Sequence, residues 1–556
     1  MCKRQPLAFL FITVLIFFLS CAPALMNKQA EKEKTDEYLS FHHFVKGEWY
    51  QLQGELDSAI SEYHKALKAD PQKEEIRLAL AKAHYKKEEF EKALKEALLI
   101  QPKTSVVWSF LGDLYGRMRQ MEKAIESYQK SVELDSTYTH PLWNLILLYQ
   151  ATGRIKEAGS AWKKIVELYP FNLEVRLQAA SFFLKNTEYD EAERQYKKAT
   201  QIAPDDRETW LGLAQTYEAM DDPESAIERY QRASSIGYPN VYITKRLVFL
   251  LKNQGRLKEA ISEAEKLAEL TPKDQTTQNI LAELYILNHQ IDKAESLLTA
   301  VKQDYPSDYF VFLLSGKAAL EKKDFASAKE NFKKTTTLND SLPDGWIYLG
   351  LTYLEEDSTR KAIEVFQDGL KNVEIKSGLY YYLGISHNRL EEYEKASVFF
   401  QKADSLSPNA SHILFGLGSS LERIGQLDES IKVFERLLEI EPENDLVLNY
   451  LGYTLADRGI RLEEAKMMIE KALEKKPDNP AYIDSYGWVL FKLGEIDRAE
   501  ENIRKAAELL DTDAVIFEHL GDILEAKGER QKAIEYWGKA LEFDPENENL
   551  KKKLEK

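Results

Sequence analysis

Histidines, cysteines and paired carboxylates are the side chains here that could do chemistry, and their spacing decides which chemistry is open to them. The nine histidines include one adjacent pair, His42-His43, and none stands in a His-Glu-x-x-His or Cys/His ligand arrangement. Adjacent helical residues point in different directions and do not readily share one ion, so the pair predicts no metal site. Cys2 and Cys21 are the only thiols, which leaves the body of the chain without a disulfide, a thiolate nucleophile or a zinc ligand. Glycines recur at a fixed pitch and form no phosphate-binding loop, so no cofactor is expected. Asp484 and Glu518 are the one carboxylate pair worth weighing as acid and base, on a glycan for example, but nothing in their spacing supplies the close separation or shifted pKa that such chemistry needs. No catalytic residue is predicted, and the chain is not expected to be an enzyme.

The elements that would have to position any site form a repeat. Small residues stand at Ala59, Ala93, Ala124, Ala158 and onward to Ala533, at spacings of 34 except 31 from Ala93 to Ala124 and 35 from Ser430 to Ala465. Twelve residues before most of them lies a second small position, as at Gly47, Ala81, Gly112, Gly316, Gly384, Gly487 and Gly521. Two helices cross closely only where side chains are small, so each pair marks the crossing of a helix hairpin. Aromatic residues four positions past the second helix's small residue, such as Tyr63, Tyr128, Phe366, Phe400 and Trp537, lie on the same face and must fill that crossing. Gly153, Gly255, Gly425, Gly459, Gly494 and Gly528 fall where a left-handed residue ends the first helix, and prolines such as Pro71, Pro170 and Pro545 follow the second.

This 34-residue pattern resembles the tetratricopeptide repeat, which implies an all-α, right-handed α-solenoid superhelix of about fifteen helix hairpins over residues 40–547. Such an array consumes the chain, leaving only residues 548–556 as a C-terminal capping helix with Leu550 and Leu554 on its inner face. The second unit is three residues short, and the thirteenth gains one near Arg461.

The first residues carry an address. Lys3 and Arg4 precede an apolar run from Leu7 to Leu19, and small residues follow, the order of an export signal over residues 1–20. Phe18-Leu19-Ser20-Cys21 resembles a bacterial lipobox, which implies lipidation of Cys21 and a membrane anchored through it; cleavage after Ala24, giving a soluble periplasmic protein, is the alternative. Residues 21–39 read as a flexible tether.

Charge narrows the partners. Asp and Glu total 92 against 75 Lys and Arg, a formal net charge of −17, which offers no cationic surplus for nucleic acid. No small-molecule substrate is indicated. In tetratricopeptide proteins the first helix of each unit lines the concave groove, and carrying that rule over places Asn449, Tyr453, Asp484, Trp488, Glu518 and Asp522 in the C-terminal groove as candidate contacts for a protein or peptide segment. Lys245 holds a place used by chaperone-binding members, but Phe249 replaces the asparagine their clamp requires, which argues against a chaperone tail.

The stretches Asn449 to Gly459 and Asp478 to Leu490 resemble the C-terminal units of bacterial exported tetratricopeptide lipoproteins. That family includes an outer-membrane lipoprotein that acts as adaptor for a periplasmic carboxyl-terminal processing protease. The resemblance implies a non-catalytic scaffold on the periplasmic face of a membrane, the outer membrane by analogy, with a periplasmic protease among its possible partners. Assembly of pilus, secretion or exopolysaccharide-export machinery is the alternative.

Overall fold

The computed structural model describes residues 28–555, with side-chain surroundings from residue 35. The export signal, Cys21, Ala24 and the first part of the expected tether lie outside the described residues. Residues 28–39, also expected as tether, instead begin the helix Lys28–Gln53. Good helix formers at Ala30, Glu31, Lys32, Glu33 and Lys34 favour that continuation.

Thirty-one helices and no strand occur among the described residues, and the architecture is that of a tetratricopeptide solenoid. The chain divides into two compact units, Met1–Leu250 and Leu251–Lys556. The first contains six hairpins, from the pair Lys28–Gln53 and Leu56–Ala69 to the pair Arg207–Ala219 and Pro223–Ser234. The second contains eight, from Gln275–Leu287 with Ile291–Asp304 to Ala514–Ala526 with Arg530–Phe543. Helices Val241–Asn253 and Leu257–Leu270 occupy the sequence around the division and hold the seventh place in the count of fifteen.

Within a hairpin the predicted crossing is literal. A Cβ on Gly47 would stand 2.5 Å from the Tyr63 ring, one on Gly384 2.7 Å from Phe400, and one on Gly418 2.6 Å from Phe434. The ring thus fills the notch that the missing side chain leaves. Tyr63, Phe366, Phe400 and Phe434 are fully buried there. The turn between helices needs one left-handed residue: Gly153, Gly425, Gly494 and Gly528 supply it at φ 73°, 74°, 84° and 78°, whereas Glu88, Thr187 and Lys323 adopt it with a side chain in other units.

Both irregularities appear where expected. The short second hairpin has a second helix, Phe90–Leu98, of 9 residues against 14 in Leu56–Ala69. The extra residue, Arg461, takes a left-handed conformation at φ 51°, and its guanidinium bridges Glu464 and Glu435 at 2.6 Å each.

Candidate functional site

Three consecutive first helices carry the C-terminal candidates, Asp445–Asp457, Pro480–Lys492 and Ala514–Ala526, and the first helix Ser411–Arg423 precedes them. Their starts are set locally. The Asn444 side chain accepts from the Val447 amide at 3.2 Å, Asn479 accepts from Ala481 at 3.0 Å with Pro480 at the first helical turn, and Asp513 accepts from Val515 at 2.8 Å.

Between these helices lies a buried polar network. His519 Nδ1 sits 2.9 and 3.0 Å from the two carboxylate oxygens of Asp484, and each residue is 5% exposed. Burial alone would push the imidazole pKa down, but the charge and hydrogen bond of Asp484, with the charges of Asp522 and Glu518, hold it above its ordinary value. The imidazole stacks on Trp488, ring centroids 3.9 Å apart and planes 15° from parallel. The Trp488 indole N–H donates to Asp457 at 3.2 Å, and the Lys492 ammonium lies 4.6 Å from the Trp488 ring centroid while donating to the Asp457 carbonyl at 3.2 Å. Three first helices are therefore tied side by side through Asp457, Trp488, His519 and Asp484.

The six candidate residues divide by accessibility. Asn449, Asp484 and Trp488 are buried, so Trp488 is a packing element between helices with neither ring face open. Tyr453, Glu518 and Asp522 are partly exposed. Tyr453 lies 6.0 Å from His519, and burial followed by the charges of Asp457, Asp484, Glu422 and Glu518 holds its hydroxyl far above the usual tyrosine range. Glu518 and Asp522 both accept from the Lys553 ammonium at 2.7 Å, and Asp522 also accepts from the Trp537 indole at 2.9 Å. Asp484 and Glu518 thus have separate partners, His519 and Lys553.

Sequence reasoning passed over His519 and Lys553. Asp484 and His519 are 35 positions apart, one more than the 34-residue pitch, so an acid and a base at nearly equivalent places in successive units was the available signal. Among the described residues no group of three or more His, Cys, Asp or Glu is placed to hold a metal ion.

Tetratricopeptide repeat family models match residues 51–114, 106–138, 183–239, 411–444 and 514–547. The TPR repeat-containing protein PA4667 of Pseudomonas aeruginosa is 43% identical over 79 residues, 14% of this chain and 13% of that one. The BBSome complex member BBS4 of Bos taurus is 23% identical over 251 residues, 43% of this chain and 48% of that one. The peroxisomal targeting signal receptor of Saccharomyces cerevisiae is 23% identical over 145 residues, 26% of this chain and 22% of that one. The chain spans less than half the length of each of these relatives. The matched segments are tetratricopeptide repeats, helical pairs that generally mediate protein–protein contacts.

Proposed function

We propose that this protein is a non-catalytic scaffold of the bacterial cell envelope, held to the periplasmic face of a membrane by lipid on Cys21, that recruits a periplasmic enzyme by binding a polypeptide segment at its C-terminal first helices. The observation that supports it most is the network of Asp457, Trp488, His519 and Asp484, which holds adjacent helices in one arrangement before any partner arrives. A surface ordered in advance loses less entropy on binding. Its accessible members, Tyr453, Glu518 and Asp522, mix an aromatic ring with polar groups, a composition suited to protein recognition. The relatives' names point the same way: one is a member of a complex and one a receptor for a targeting signal. Residues 3–21 supply the envelope part of the reading through a charged start, an apolar run and a cysteine.

Purification from bacterial membranes after crosslinking, with mass spectrometry of what co-purifies, tests the scaffold. A defined periplasmic partner that is lost on Tyr453→Ala is expected, and a chain that stays free of any stable partner across conditions sinks the reading. The mass of the N-terminal peptide tests the anchor: diacylated Cys21 is expected, and cleavage after Ala24 removes that part alone.

A further inference from the structure

We infer that the groove beside Tyr453 takes a basic side chain, lysine or arginine, of the bound polypeptide, received by Glu422 and Asp457. This rests on the groove reading above and adds the chemistry of what is recognised.

Some acceptors near Tyr453 have no donor of this chain. Two carboxylates of the C-terminal hairpins are already paired within this chain, Asp484 with His519 and Glu518 with Lys553. Glu422, in the last turn of Ser411–Arg423, is partly buried, and its carboxylate makes no hydrogen bond or ion pair among the described residues. Burial holds its carboxyl above the ordinary range; Arg423 beside it pulls the other way, and Asp457 adds to the upward push. Asp457 occupies the corresponding last turn of the next first helix, where the carbonyl ends of the helix add negative potential. Its half-exposed carboxylate accepts from the Trp488 indole and has room for further donors; among the described residues its one close cation, Lys492, stands 4.0 Å away and lies over the Trp488 ring.

Two further atoms point the same way. Asn449 is 8% exposed, and its side-chain oxygen has no hydrogen-bond partner. It stands one turn before Tyr453, on the same helix face. Ser419 Oγ, one turn before Glu422, is likewise buried without a partner. The unmet groups are thus mainly acceptors, around an aromatic ring that can face a cation. An ammonium supplies three donors and a guanidinium five, each carrying the charge that two carboxylates want. A neutral or acidic segment would leave Glu422 and the buried Asn449 oxygen unpaired.

An oriented random peptide library passed over the immobilised full chain tests this, with Lys, Arg, Nε-acetyl-lysine, Ala or Glu at its central position. Lys and Arg peptides are expected to be retained about tenfold or more over the acetylated and Ala peptides, the worth of one charged hydrogen-bonding group. Glu422→Gln should abolish that preference while melting no lower than the parent, because the amide removes a charge that burial disfavours. Retention without basic preference, or a preference that survives Glu422→Gln, overturns the inference and leaves the groove reading standing. Retention of no peptide overturns both, and binding of spermidine in place of any peptide would assign the acceptors to a free polyamine and overturn the inference as well.

Discussion

In the first hairpin the Tyr63 ring fills the notch at Gly47, and in the last the Trp537 ring fills the notch at Gly521, yet the faces beyond these two hairpins are unlike. The helix Lys28–Gln53 presents Tyr38, Phe41, Val45, Trp49 and Leu52 outward, at spacings of three and four that put them on one face, with Leu52 83% exposed. That is where a preceding hairpin would stack. At the other end the helix Glu548–Glu555 covers the last hairpin, burying Leu550 completely and sending Lys553 to Glu518 and Asp522. The repeat therefore dictates how a hairpin closes on itself, whereas how an array stops is decided by residues outside the repeat pattern.

The buried histidine at the C-terminal end gives the sharpest test. His519→Ala leaves the Asp484 carboxyl group buried without its partner, an expected loss of about 3–5 kcal/mol in the second unit. His43, paired with Glu62 at 2.6 Å but partly exposed, should lose under about 1 kcal/mol on the same change. Denaturant unfolding of both variants makes the comparison, and equal losses would break it. The terminal leucines should separate nearly as widely: about 2–5 kcal/mol for Leu550→Ala and within about 0.5 kcal/mol for Leu52→Ala. A thermal shift of similar size in both would mean that Leu52 is covered.

The notches should not separate at all. Gly47→Ala and Gly521→Ala each force a methyl group against a ring and are expected to cost about 1–3 kcal/mol alike, measured by the same unfolding experiment. The smallest effect is in pH. Burial would raise the Glu62 carboxyl, but hydrogen bonds from Lys65 and His43 and the charge of Lys46 bring it down to about 2 from 4.5, so its contribution is present above 4.5 and lost as pH falls toward 2. His519 is shifted upward, so its contribution is present below the ordinary histidine value of about 6.5 and lost as pH rises through its elevated folded pKa. Hydrogen exchange across pH should show acid loosening the first hairpin and alkali loosening the last ones.

The parts of this molecule legible in its sequence are the steric ones. Small residues, rings and turn positions recur in one register, and Gly47, Phe400 and Gly494 do in three dimensions what their spacing predicts. The polar site was legible only as a list of groove positions. Which of them is open depends on contacts between successive units: Trp488 closes because His519, one residue beyond a full pitch from Asp484, stacks on it. The helical start at Lys28 was hidden for another reason, since a charged segment with few large apolar residues reads as tether while still having high helix propensity.

Tyr63 and Gly47, Phe366 and Gly350, Phe434 and Gly418, and Trp537 and Gly521 each belong to one hairpin, so those locks are indifferent to how many hairpins precede or follow, whereas Tyr196 and Phe400 also reach Gly212 and Gly416 of the next hairpin. Loss or gain of a whole 34-residue period would leave the surviving locks with their own partners, whereas a slip of one residue inside a hairpin would lift a ring off its notch. Gene duplication can thus lengthen or shorten this array in whole steps, and its length becomes a trait that recombination adjusts while the C-terminal network of Asp457, Trp488, His519 and Asp484 is inherited intact.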